Sequence, residues 1–227
     1  MGLIGGTSWV STIDYYRTIN QLTNQQLGGL NSAKILMYSV NYQQFKEIAD
    51  AGEWGKEGDI LSDIAKQLQQ AGADCVLLCA NTMHMVADKV QQNITIPLIH
   101  IAEVTAKEIS NQGISKVGLL GTKFTMEQTF FKTRLTKYGI ETLIPNEADR
   151  DFLHASIFNE LGKGIFKSET KEKYLQIIED LQKRGATGII FGCTEIPLLI
   201  PASECNYPVF DTMLIHAKAA VDFALGL

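Results

Sequence analysis

The chain has 227 residues and a mass of 25.1 kDa, enough for one large or two small domains with a substantial core. Its composition is 45% apolar and 20% charged, which excludes disorder and a fibrous chain. Twenty basic against 25 acidic side chains give a net charge of −5 without a polycationic stretch, and no apolar run reaches the ~18 residues of a membrane span, so neither a nucleic-acid partner nor a membrane is expected.

The opening Met1-Gly2-Leu3-Ile4-Gly5-Gly6 has no basic segment before it and does not read as a signal peptide. Four cysteines (75, 79, 193 and 205) without an export signal are expected to be reduced thiols of a cytoplasmic protein. Along the chain, strands are predicted at 2–4, 33–40, 75–78, 98–101, 117–120, 141–144, 188–191 and 209–210. Helices are predicted at 12–27, 42–51, 59–70, 83–91, 102–112, 125–138, 149–162, 168–184 and 213–225. Alternating strands and helices with short connections predict a parallel, layered α/β protein. Runs such as Val76-Leu77-Leu78 and Ile189-Ile190-Phe191 lack alternation, as expected of strands covered on both faces.

An internal repeat divides the chain. Residues 68–82 (LQQAGADCVLLCANT) align without a gap on 181–195 (LQKRGATGIIFGCTE), an offset of 113. Gly2-Leu-Ile-Gly5 resembles Gly118-Leu-Leu-Gly121, and Ile96-Pro-Leu-Ile99 resembles Tyr207-Pro-Val-Phe210, in the same order. The expected fold is therefore two similar parallel-sheet α/β lobes, one from 1–102 plus 209–227 and one from 103–208, with an active-site cleft between them. Ligands of parallel sheets bind beyond the carboxyl ends of the strands. The residues there are Gly5-Gly6-Thr7-Ser8, Ala80-Asn81-Thr82, Gly121-Thr122 and Cys193-Thr194-Glu195, read as small or hydroxyl-bearing with glycines that let a ligand approach the backbone.

The glycine turns lack both the Gly-x-Gly-x-x-Gly order and a P-loop lysine, which leaves nucleotide binding unsupported. Hydroxyls and backbone N–H groups beside them suit a carboxylate instead. Cys193 ends a strand just ahead of a short predicted helix, where a thiolate would be stabilised and could serve as a base; the bland alternative is a small core residue. Cys75 and Cys205 are read as structural. The spacing of Cys75, Cys79 and His84 crosses a strand, a turn and a helix with no second ligand pair, so no metal is expected. His84 is placed near the expected cleft and His100 after a strand, while His154 and His216 are read as surface or packing residues of helices. None sits in a Ser/His/Asp or His-Glu-x-x-His context.

Gly-Leu-Ile-Gly-Gly-Thr-Ser-Trp9, Asn81-Thr82-Met83-His84 and Gly192-Cys193-Thr194-Glu195-Ile196 together resemble the aspartate/glutamate racemase family over essentially the whole chain. The resemblance implies a two-lobed fold, a homodimer, and amino-acid racemisation without pyridoxal phosphate, metal or nucleotide. It also implies two groups facing each other across the substrate Cα, one removing the α-proton as a thiolate and the other returning a proton to the opposite face. The family pattern has Cys-Asn-Thr in the first half, whereas this chain has Cys79-Ala80-Asn81-Thr82, with Ala80 at the position of the first acid/base. The repeat alignment agrees, pairing Cys193 with Ala80 and Cys79 with Gly192. Three routes stay open: an altered turn brings Cys79 into the site; Thr82, His84 or a bound water returns the proton; or exchange occurs on one face or not at all.

The matching motifs suggest Thr7, Ser8, Asn81, Thr82, Thr122 and Thr194 for the α-carboxylate and amino group. Lys46 and Lys163, with Gln44 close to the first, are candidates for an acidic side chain; each lysine is equally readable as a solvated surface charge. The expectation is a racemase of aspartate, glutamate or a broader range. An amino-acid or dicarboxylate binder with impaired catalysis, or a sister isomerase or decarboxylase such as a maleate isomerase, is the alternative.

Overall fold

Apolar runs without alternation become parallel strands with both faces covered, as the buried β3 (Val76–Leu78) and β6 (Gly188–Gly192) illustrate. The computed structural model describes residues 1–227 and divides into two units, Met1–Ile101 with His216–Leu227 and Ala102–Ile215. In the first unit β1 (Gly2–Gly5), α1 (Trp9–Leu27), β2 (Leu36–Ser39), α2 (Tyr42–Asp50) and α3 (Trp54–Gln70) precede β3. A 3₁₀ turn at Thr82–Val86 and α4 (Ala87–Gln92) follow it, and α5 (Ile101–Asn111) takes the chain into the second unit. There the order is β4 (Lys116–Gly121), α6 (Lys123–Glu127), α7 (Thr129–Lys137), β5 (Glu141–Leu143), α8 (Glu147–Asn159), α9 (Ser168–Lys183), β6, α10 (Ile196–Leu199) and β7 (Val209–Asp211), after which α11 (Thr212–Leu225) returns the chain.

The sheets repeat one another. The first runs β2-β1-β3 and the second β5-β4-β6-β7, all parallel. The predicted strand at 98–101 is reduced to one parallel bridge between Val76 and Leu98. Its backbone logic still matches the second half: Val76 N–H donates to Pro97 O at 2.9 Å, as Ile189 N–H donates to Pro208 O at 2.9 Å. The first copy stops there because α5 begins at Ile101, and Gln91 Oε1 covers the outward-facing Leu98 N–H at 2.7 Å. Pairing of β7 with β6 keeps residues 209–211 in the second unit, so the return to the first falls inside α11 rather than at 209.

Helix boundaries depart from the sequence reading most in three places. The helix expected from 59 starts at Trp54, placing Glu57 and Gly58 on the buried face that continues through Leu61, Ile64, Ala65 and Leu68. The stretch expected as one helix from 83 is a 3₁₀ turn followed by α4. That expected from 125 is broken at Gln128, whose ψ of 158° is extended, although no proline or glycine is present to signal it. No helix is long and apolar enough to cross a membrane.

The core of the first unit packs Ile4, Phe45, Leu61, Ile64, Leu68, Val76, Leu78 and Met83 between the sheet and α3 and α4. On α1, Thr12, Tyr15, Ile19 and Thr23 are buried at helical spacing. His216 is fully buried: Nε2 donates to Ile99 O at 2.7 Å, so Nδ1 is the acceptor for Tyr15 O–H at 2.8 Å. Burial lowers its pKa from 6.5 to about 4, because a charged ring would lose its water. The folded state thus excludes a proton that the unfolded chain binds below pH 6.5. Stability from this source is complete above pH 6.5 and falls by roughly 3 kcal/mol as the pH drops through 4. His216→Leu strands the Tyr15 hydroxyl and Ile99 carbonyl and is expected to cost about 2–4 kcal/mol at pH 7. In urea unfolding from pH 7 to 4, the gap between wild type and variant is expected to close; a constant gap would remove His216 from the acid sensitivity.

Candidate functional site

The carboxyl ends of the central strands are shaped by glycines against which a threonine packs. A Cβ on Gly5 would lie 2.4 Å from Thr12 Cγ2, and one on Gly121 would lie 3.1 Å from Thr125 Cβ. Thr12 Oγ1 accepts from Gly6 N–H at 2.9 Å and donates to Ser8 O at 2.8 Å, so α1 itself folds the Gly-Gly-Thr-Ser turn. Gly6 has φ +99°, a conformation that L side chains rarely adopt. Ser8 occupies the N-cap of α1 without a side-chain capping bond. Thr7 Oγ1 and Ser8 Oγ are buried with no hydrogen-bond partner, a costly state for hydroxyls that a ligand carboxylate would relieve.

In the second unit Thr122 is committed to structure, capping α6 through Thr125 N–H at 3.2 Å and lying 3.2 Å from the Thr125 hydroxyl. Cys193, just past β6, is 7% exposed. Its thiol donates to Glu195 Oε2 at 3.0 Å, and Thr194 Oγ1 donates to the same oxygen at 2.8 Å. The thiolate expected from a helix start is not what the structure holds. Burial first, then the Glu195 carboxylate, push the Cys193 thiol well above its ordinary value, and backbone bonds from Glu195 and Thr194 only partly oppose this. Moreover, α10 begins three residues later, at Ile196, and is four residues long, too little helix to reverse those effects. Glu195 is therefore a candidate that sequence reasoning quoted but did not select. Its buried Oε1 has no partner, and the signal was its place two residues after Cys193.

The first-half candidates are less equal. Cys79 is 1% exposed, and burial raises its thiol far above the usual range, so it is a packed neutral thiol. Its backbone N–H donates to Ile4 O at 2.9 Å, which continues the β1–β3 ladder and leaves no altered turn to swing it out. Ala80 is half-buried and packs against the core of the first unit. Asn81 is buried and Thr82 half-buried at the head of the 3₁₀ turn. His84 is buried, with Ile101 N–H donating to Nε2 at 3.2 Å. Nδ1 accordingly carries the proton and donates to Ala80 O at 3.0 Å, so both ring nitrogens are held by backbone rather than directed at a substrate.

Gln44 on α2 is exposed and lines a groove of about 430 Å³ with Phe45, Glu47, Ile48, Lys56 and Ile60. Lys46 is paired with Asp50 one turn along α2. Lys163 ends a 3₁₀ turn in the second unit, is exposed, and has no carboxylate partner. No group of three or more His, Cys, Asp or Glu side chains is arranged to hold a metal ion.

The family model described as Asp/Glu/Hydantoin racemase matches residues 4–220. A crystal structure from Yersinia pestis, provisionally described as an Asp/Glu racemase, is 49% identical, with a TM-score of 0.92 over 99% of this chain and 98% of that one. An aspartate racemase homologue from Pyrococcus horikoshii is 35% identical, with a TM-score of 0.85 over 99% and 98% of the two chains. Over 168 residues, covering 72% of this chain and 70% of the relative, 26% are identical to RacX of Bacillus subtilis, a broad specificity amino-acid racemase.

Glu195→Gln removes the charge that opposes a Cys193 thiolate. Alkylation of Cys193 by iodoacetamide at pH 8, followed by peptide mass spectrometry, is expected to be about tenfold faster in the variant, the equivalent of one pKa unit. An unchanged rate would mean that burial alone holds the thiol proton.

Proposed function

The chain belongs to the Asp/Glu/hydantoin racemase family of isomerases, and from that premise we propose that it racemises an acidic amino acid, aspartate or glutamate, without an organic cofactor. The observation that carries this reading is the Cys193–Glu195 pair at the end of β6. A buried thiol is a poor base by itself, but its proton already points at a carboxylate oxygen. Passing that proton to Glu195 yields the thiolate that abstracts the α-proton, and the neutralised carboxyl no longer repels it. The backbone N–H groups of Thr194 and Glu195 favour the sulfur anion once formed.

The unpartnered hydroxyls of Thr7 and Ser8 are the groups we assign to the α-carboxylate, with Asn81, Thr82 and Thr194 around the substrate's polar atoms and Thr122 left to cap α6. Donors on that carboxylate stabilise the negative charge that spreads onto it when Cα loses its proton. Lys163, exposed and unpaired, suits the side-chain carboxylate; Gln44 is its uncharged counterpart in the first unit, and Lys46 is the weaker candidate because Asp50 holds it. A second copy of the chain is the partner we expect. Trp9, Ile13 and Tyr16 share one exposed apolar side of α1, and the charges beside them, Asp14 and Arg17, neutralise each other as an ion pair.

Inversion needs a proton carrier on each face of Cα, and the Ala80 methyl group carries none. That single fact favours a second reading, an amino-acid binder in which Cys193 exchanges the α-proton on one face only. Chiral chromatography after incubation with L- and D-aspartate and glutamate separates the two. The racemase reading expects both enantiomers to appear, a loss of at least about 100-fold in Cys193→Ala, and a gain in Ala80→Cys. Full activity in Cys193→Ala would overturn it, and α-proton exchange without inversion would establish the binder.

A further inference from the structure

We propose that Glu57 is the proton carrier of the first half, exchanging a proton with the substrate Cα through one water molecule beside Ala80. This rests on the racemase reading and supplies the group that the Ala80 position lacks.

Glu57 is 3% exposed, and its carboxylate, which takes no hydrogen bond or ion pair from the protein, keeps a small contact with solvent. It lies on the buried stripe of α3 between Trp54 and Leu61, where helical spacing calls for an apolar side chain. An acid kept there without a partner costs stability unless it has work to do. Its height on the sheet follows from the packing of α3. A Cβ on Gly2, at the start of β1, would lie 3.2 Å from Leu68 Cβ, which pins the last turn of α3 to the amino edge of the sheet. Glu57 is eleven residues earlier, ~16 Å along the helix. The four residues of β1 span only ~10 Å between their outer Cα atoms. Glu57 therefore stands just beyond the carboxyl ends of β1 and β3, on the side of the sheet ends where Ala80 follows β3. The next residue confirms the height: a Cβ on Gly58 would lie 3.4 Å from Val86 Cβ, at the end of the 3₁₀ turn that Ala80 and Asn81 lead into.

Burial alone pushes the Glu57 carboxyl up to about 7, the value at which one group donates and accepts protons equally well near neutral pH. The charged and titratable neighbours are otherwise engaged. On α4, Lys89 donates to Gly55 O and pairs with Asp59, while Asp88 has its own partner. Glu47 of α2 accepts from Gln43, His84 of the 3₁₀ turn is held by Ala80 O and Ile101 N–H, and on α3 itself Glu53 pairs with Lys56.

In one direction, the pair of electrons of the Cα–H bond stays on the substrate as the enolate, the proton passes to water, and water gives a proton to the Glu57 carboxylate. The Cys193 thiol then protonates the opposite face and becomes the thiolate. In the other direction every transfer reverses, so each turnover leaves Glu57 and Cys193 in exchanged protonation states.

The test is Glu57→Gln, near-isosteric and free of the buried charge, with thermal unfolding to check the fold. The expected result is racemisation at least about 100-fold slower, loss of the limb near pH 7 in kcat/KM, and partial recovery in Glu57→Asp. Carbon-13 NMR titration of wild-type Glu57 keeps the proposal testable even where a variant folds poorly, with a midpoint near 7 expected. Racemisation in Glu57→Gln at the wild-type rate, or a Glu57 midpoint near 4.5, would overturn this proposal alone. A wild-type protein that exchanges the α-proton of no amino acid would overturn it together with the racemase reading.

Discussion

The contact on which the functional architecture depends is that of a helix threonine with the glycine ending a central strand. Thr12 meets Gly5, and Gly121 faces the Gly192 carbonyl oxygen as well as Thr125, so no side chain on either glycine would fit. In each half the strand can therefore run to its last residue and turn at once into a helix, folded in the first by the Thr12 hydroxyl and in the second by the Thr122 cap. The functional groups ride on that geometry. Thr7 and Ser8 are left with unsatisfied hydroxyls because Thr12 has taken over the bonds that would otherwise fold the loop. Thr122, by contrast, is spent on capping α6. The same device thus frees polar groups in one half and consumes them in the other.

Duplicated topology with unequal chemistry runs through the molecule. Both sheets place their strands in the order second, first, third, and in both a proline carbonyl accepts the bond that brings in the fourth segment. At the ends of the third strands the copies diverge. Cys193 has a buried carboxylate two residues on, while Ala80 has none in its own turn. The thiol and the Glu57 carboxyl are both perturbed chiefly by burial, which penalises whichever form is charged. What separates them is the neighbour. Glu195 adds its negative charge to the penalty on Cys193, whereas no charge adds to that on Glu57.

Much of this was legible in the sequence. The repeat at an offset of 113, the parallel α/β class and the four strand-end turns follow from apolar runs and glycine placement, and the strand order of the two sheets is the physical form of that repeat. The tertiary electrostatics were not legible. A thiol before a short helix suggests a lowered pKa, and only the burial of Cys193 against Glu195 reverses the sign. His84 looked available because a sequence does not show that Ile101 N–H occupies its free nitrogen. Glu57 was missed because the helix was begun at 59; begun at Trp54, the stripe 54, 57, 61, 64, 68 exposes an acid in an apolar row. The break at Gln128 has no local signal in the sequence at all.

The most direct measurement of unequal halves is the fate of deuterium at low conversion in D₂O, starting separately from each enantiomer and analysing residual substrate and product by chiral separation and mass spectrometry. A proton taken by the Cys193 thiolate stays on sulfur or Glu195, so that enantiomer is predicted to remain protiated while its product is deuterated. A proton taken through water mixes with solvent, so the other enantiomer is predicted to gain deuterium before it inverts. Identical labelling from both enantiomers would contradict the account.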